Sequence, residues 1–159
     1  MSDGGTDVGH LVDRLILDSA MLIDREEFEA WTECFAEESS YMVIPRENRV
    51  QGLPAAIIRC DSKAILKDRI AVLRHANKYN PHYDKHFVNG ARILSVADDI
   101  VSAETNFMIV QTSKTGVSRL FCVGCYEDRI RIADGTAKFV ERVAVLDTFS
   151  IQPLVATPV

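Results

Sequence analysis

Few of the usual signs of a catalytic or ligand-binding chain are present in these 159 residues. Glycine is sparse, at eight residues, and none of it forms a phosphate-binding loop after an apolar run. Gly4-Gly5 sits in a polar terminus. A nucleotide-binding loop and a Gly-x-Ser-x-Gly nucleophile elbow are both absent. Lys and Arg number 18 against 23 Asp and Glu, for a net charge of −5. With no basic stripe, nucleic acid is excluded as a partner. No apolar run reaches the length of a membrane span. The opening Met1–Asp7 has neither the basic region nor the apolar core of a signal peptide, so a cytoplasmic location is expected. There is no internal repeat.

Metal and redox chemistry have little to work with. The cysteines are Cys34, Cys60, Cys122 and Cys125. Cys122 and Cys125 have CxxC spacing, but within a strand pattern residues three apart point to opposite faces. They read as small buried apolar residues, and no disulfide is expected. His82 and His86, with Asp84 nearby, could share one face of a helix, but Pro81 and the strand pattern that follows argue against a sustained helix there. No Cys-x-His or Cys-x-x-His pair occurs, so this chain lacks the usual motif for a Rieske cluster, which takes two Cys and two His ligands.

What is present is a change of pattern along the chain. Residues 1–6 read as a flexible lead-in and 7–159 as one domain. From Asp7, a plausible N-cap, Val8, Leu11, Val12, Leu15, Ser19 and Leu22 recur at helical spacing. A second helix is expected from Asp24, with Glu27 as a box-like partner and an apolar face of Phe28, Trp31 and Phe35. Trp31, the single tryptophan, reads as a core anchor. After a polar break at 37–40, Tyr41–Ile44 reads as a short strand stopped by Pro45. The charged stretch from Arg46 to Pro54 reads as a surface loop. Residues 55–59 fit either a strand or an extension of the next helix. That helix, capped by Asp61 or Ser62, carries Ile65, Leu66, Ile70 and Leu73 and runs to about Lys78.

From His86 to Leu146 the period changes to two. Four long strands are expected, joined by turns at 97–99, 114–116 and 133–135. Val101, Ala103, Thr105, Phe107 and Ile109 point one way; Ser102, Glu104 and Asn106 point the other. A block of helices followed by antiparallel strands implies an α+β fold, with helices on one face of a twisted, bulged sheet. The last strand departs from alternation: Val143, Ala144, Val145 and Leu146 are apolar on both faces. Either the sheet curls over its own edge or a second subunit covers the outer face, which makes Val143 and Val145 candidate interface residues. Tyr41, Asp68, His86 and Tyr126 are groups that a dehydratase or isomerase could use in a cavity under the sheet.

Taken in order, these residues resemble the small (β) subunits of bacterial aromatic-ring-hydroxylating dioxygenases. Trp31, Phe35 and Tyr41 are similar to the family's opening helix and first strand. Asp68-Arg69 with Leu73 resembles its third helix, and His86-Phe87-Val88-Asn89 the start of its sheet. Thr105-Asn106-Phe107 resembles a Ser-Asn-Phe signature. Phe121, Gly124, Tyr126-Glu127-Asp128, Asp134-Gly135, Arg142 and Asp147 follow its last hairpin. The likeness covers about residues 10 to 155, and between Gly52 and His86 it is closest to terephthalate-type enzymes, which act on aromatic carboxylates.

The resemblance implies an NTF2-like, cystatin-like cone over 7–159. It implies a noncatalytic structural subunit of an α3β3 hexamer that dihydroxylates an aromatic ring. The Rieske [2Fe-2S] cluster and mononuclear Fe(II) would then lie in the large α subunit. Arg46, Glu47, Asn48 and Arg49, with Val143 and Val145, are the expected contact residues. The competing expectations are a stand-alone dehydratase or isomerase using Asp68, His86 and Tyr41, and a small-ligand-binding module.

Overall fold

The structure is a computed structural model. It describes residues 4–75, 81–147 and 157–159, with side chains from Val8 onward. Helix α1 runs from Gly4 to Asp24, so it begins ahead of the expected cap at Asp7 and takes in part of the expected lead-in. Its buried stripe is Val12, Leu15, Ile16, Ser19, Ala20 and Ile23, spaced for one face. The chain does not start a new helix at Asp24. Glu26 takes a left-handed conformation (φ 58), and α2 is a single turn, Phe28–Thr32, without a side-chain cap.

Phe35 belongs to a strand, not to the helix face expected for it. β1 runs from Phe35 to Pro45, longer than the four residues its apolar run suggested. Its register against the last strand shifts between Phe35 and Ser40. That irregularity lets exposed Glu37 and Glu38 sit in a strand without breaking it. The expected loop then begins as a short helix, α3, Arg46–Val50. β2 is Ile58–Cys60 and α4 is Lys63–His75; the expected helix end near Lys78 lies outside the described residues.

Five strands follow, where four were expected. The first splits into β3, His82–Val88, and β4, Arg92–Ala97. Both pair antiparallel with β5, Ile100–Ser113, each along one half of it. The step between them is held by Ala91 N–H on the Asp13 carboxylate at 2.8 Å and Asn89 N–H on Asn106 C=O at 3.3 Å. β6, Ser118–Ala133, and β7, Thr136–Leu146, complete the sheet. The β6–β7 turn has Asp134 and Gly135 at φ 51 and 70, which suits the two-residue hairpins that match strand twist.

The sheet order is β2-β1-β7-β6-β5-β3, with β4 beside β5; every pairing is antiparallel except β1 with β7. Register shifts at Ile109/Val110 and Arg129/Ile130 bend the longest strands. Helices α1 and α4 pack on the concave face, α1 against β3, β6 and β7 and α4 against β1. The alternation expected of β5 is present: Val101, Ala103, Thr105, Phe107 and Ile109 are all buried. Among the described residues no helix is long and apolar enough to cross a membrane.

Candidate functional site: the concave interior and the outer face of the sheet

The concave face is closed by a polar pair inside an aromatic cage. Asp128 on β6 and Arg142 on β7 are cross-strand partners, 2 % and 1 % exposed. The guanidinium forks onto the carboxylate at 2.9 and 2.8 Å. A third bond, 3.2 Å, goes to Ser19 Oγ on α1, which also accepts from Trp31 Nε1 at 2.9 Å. Arg142 lies 3.9 Å from the Tyr126 ring centre and 4.0 Å from that of Phe139. Burial pushes the Asp128 carboxyl up, and Arg142 pulls it back. Removing either partner would strand the other's charge and cost about 3–5 kcal/mol. Trp31 packs edge-on against Phe35 and Tyr41 at 5.1 and 5.3 Å; it is the core anchor its sequence position suggested. These groups hold two helices to three strands and leave the pair no opening to solvent.

The acid–base pair expected of Asp68 and His86 is not formed. Asp68 is exposed on α4. The acid that meets His86 is Asp24, at the end of α1. Its carboxylate accepts the His86 main-chain N–H at 3.0 and 3.1 Å and stands 2.7 Å from Nδ1. The carboxylate orients the ring through Nδ1, while Nε2 is buried and without a hydrogen-bond partner. No sequence signal marks Asp24, because a residue ending a helix gives no hint that it reaches a strand 62 positions on. Tyr41 lies in the same interior but is bonded to Val159. Burial pushes its hydroxyl, and that of Tyr126, well above the usual phenol range.

The residues do not fit an iron–sulfur cluster. Cys122 faces the core and Cys125 the outer side of β6, and burial pushes the Cys122 thiol up to about 12, far from a thiolate ligand. Among the described residues no group of three or more Asp, Glu, His or Cys could hold a metal ion.

On the outer face the two ends differ. At the β1–β7 end, Val143 and Val145 are buried with Ile44, against Met42 and Ala56. The chain itself covers them. The segment 46–57 folds back over this end, tied by Arg49 to Glu127 at 2.6 Å, Arg46 to Asp147 at 3.3 Å and the Ile57 N–H to Val43 C=O at 2.8 Å. Of the two covers expected for Val143 and Val145, the chain's own fold supplies this one, through segment 46–57 rather than a curl of the sheet. Arg46, Glu47 and Arg49 remain exposed and Asn48 half-buried. Beside them is a cleft of about 370 Å³ lined by Pro45, Arg46, Glu47, Val50, Gln51, Leu146 and Asp147.

The opposite end is bare. Phe87 pairs with Met108 and Met108 with Val123; Lys85 pairs with Val110 and Val110 with Leu120. Tyr83, Phe87, Met108 and Leu120 are 67, 50, 41 and 61 % exposed. An apolar strip of this kind marks a contact surface. A signal for it was in the sequence: Met108 occupies the phase of β5 that Ser102, Glu104 and Asn106 fill with polar groups.

Comparison with known proteins places this architecture. The family described as "Ring hydroxylating beta subunit" matches residues 18–153. The anthranilate 1,2-dioxygenase small subunit of Burkholderia cepacia is 37 % identical over 138 residues, 86 % of this chain and 85 % of that one. A terephthalate 1,2-dioxygenase terminal oxygenase β subunit of Comamonas sp. is 34 % identical over 139 residues, 87 % of this chain and 90 % of that one. A crystal structure from Novosphingobium aromaticivorans, described as the β subunit of an aromatic-ring-hydroxylating dioxygenase, superposes with a TM-score of 0.91 at 35 % identity, covering 99 % of this chain and 100 % of that one. An NTF2-like protein with a cystatin-like fold from the same organism shares the architecture, with a TM-score of 0.63 at 18 % identity, covering 89 % and 82 %. The curved sheet with its helices is thus the NTF2-like cone, and the chain belongs to the β-subunit family of ring-hydroxylating dioxygenases.

Proposed function

We propose that this chain is the structural, noncatalytic β subunit of a cytoplasmic dioxygenase that adds both atoms of O2 to an aromatic carboxylate, giving a cis-dihydrodiol. The large α subunit of that enzyme carries the Rieske [2Fe-2S] cluster and the mononuclear Fe(II), and the two chains assemble as α3β3. The observation that carries this reading is the bare apolar strip of Tyr83, Phe87, Met108 and Leu120 on a chain of this family. Interiors of ordinary subunits are buried, and a strip left in water needs a partner. The cleft beside Arg46, Glu47 and Arg49 supplies a second, charged contact surface. The aromatic-carboxylate class is supported by the names of the relatives, which act on anthranilate and terephthalate.

The test is to purify the chain with its companion from the host and record light-scattering mass and visible spectrum together. A brown complex several times the chain's mass, with iron, sulfide and a larger polypeptide, is expected. A small colourless oligomer with no companion would overturn the reading. The stand-alone dehydratase reading has lost its expected acid, since Asp68 points to solvent. Asp68→Asn is accordingly expected to leave ring hydroxylation by the complex unchanged.

A further inference from the structure

Residues 157–159 lie inside the cone, and the assembly role does not require them there. Thr157 Oγ1 donates to Asp84 Oδ2 on β3 at 2.9 Å. Two residues later, the Val159 N–H donates to the Tyr41 hydroxyl on β1 at 2.9 Å, and that hydroxyl donates to the Val159 main-chain oxygen at 3.1 Å. β1 and β3 are separated in the sheet by β7, β6 and β5. Three residues span at most about 10 Å, so the segment crosses the interior where the curl of the sheet brings its two sides together. Pro158 is buried, and Val159 is 1 % exposed within the main core.

The manner of its holding is that of a ligand. A buried main-chain N–H and oxygen both need partners, which secondary structure ordinarily supplies from the backbone. Here one buried hydroxyl reads both the donor and the acceptor of a single residue, and a half-buried carboxylate reads a hydroxyl two residues away. Asp84 is itself set in place by Gln111 Nε2 at 3.1 Å and by His82 Nε2 at 3.5 Å. The same strand also carries His86, whose Nε2 is fully buried and unpartnered. A buried polar atom left unpaired is costly, so the interior still has an unused hydrogen-bonding group.

We infer that the concave interior is a binding site for a short peptide-like ligand, a compact branched aliphatic group bearing an amide with a hydroxyl two residues before it, and that Thr157–Val159 occupies this site in cis. Tyr41 recognises the amide and Asp84 the hydroxyl. With the segment in place, the site is closed to other molecules.

The test uses Trp31, whose ring is 5.3 Å from that of Tyr41, as the reporter. In a variant lacking residues 157–159, Trp31 emission is expected to shift and thermal stability to fall. Added N-acetyl-Thr-Pro-Val should restore both saturably, while N-acetyl-Thr-Pro-Asp should not. A folded truncated protein that ignores the first peptide would overturn the inference. The full chain gives an independent measurement that needs no truncation, by hydrogen exchange at the Val159 amide. Tyr41→Phe should speed that exchange about tenfold, the equivalent of one ordinary hydrogen bond, and Thr157→Ala should speed it less, with the Ile130 amide unchanged in both. An unprotected Val159 amide in the unsubstituted chain, or no change in Tyr41→Phe, would contradict it.

Discussion

The two ends of the outer sheet face carry apolar residues of the same kind and have opposite fates. At the β1–β7 end, Val143, Val145 and Ile44 are 2, 7 and 3 % exposed because the chain folds back over them. At the β3–β5–β6 end, Phe87, Met108 and Leu120 stand in water. Apolar residues on both faces of a strand therefore do not by themselves announce an interface. They announce a cover, and the cover can come from a loop of the same chain. The apolar surface left uncovered is where no such loop arrives.

The sharpest way to break this comparison is to put a charge at each end. Val143→Asp buries an unpaired carboxylate in a finished cluster, and denaturant unfolding should show a loss of more than about 4 kcal/mol. The Phe87→Lys, Met108→Lys double variant should do the opposite. Its unfolding free energy should stay within about 0.5 kcal/mol, while subunit association weakens by about a hundredfold or more in a dilution series, as expected for central interface residues. A smaller effect sharpens the role of the fold-back segment. Arg49→Ala removes an exposed ion pair with Glu127 and should cost no more than about 1 kcal/mol. A larger cost would mean that the ion pair, rather than the apolar cluster, holds the cover down.

The smallest effect is a pH dependence confined to the helical side of the molecule. Lys67 and Lys63 hold the Glu33 carboxyl at about 2, and Arg74 holds Glu29 at about 2, against an ordinary 4.5. Because the folded values lie below the unfolded ones, their stabilisation is complete above about pH 4.5 and is lost as pH falls toward 2. Both groups are largely exposed, so salt should screen the effect. Thermal melts of Glu33→Gln between pH 5 and 2.5 should show a shallower fall than the unsubstituted chain, with no change in association.

Much of this was legible in the sequence. The alternation from Val101 to Ile109 gave the inward row of β5, and the Ala-Asp-Gly turn at 133–135 gave the last hairpin. The ordered likeness from Trp31 to Asp147 gave the family and the cone. What could not be read was contact between distant segments. Nothing local marks Asp24 as the partner of His86, and Asp68 was the nearer helical acid by sequence. Nor does composition say that 46–57 returns to cover Val143 and Val145, because a charged loop and a fold-back cover have the same residues. The bare strip was legible only through Met108, an apolar residue following Ser102, Glu104 and Asn106 in one phase, since the outward phase of Leu120 depends on the bulge at Ile109/Val110 and that of Phe87 on its register with β5.

The most direct test of the assembly claim is the light-scattering mass of the complex purified with its large subunit, unsubstituted and with Phe87→Lys, Met108→Lys. The unsubstituted protein should run at several times the mass of the chain, and the variant should fall to a folded lone subunit with an unchanged melting temperature. A variant that keeps the full mass would show that the bare end of the sheet is not the surface that assembles.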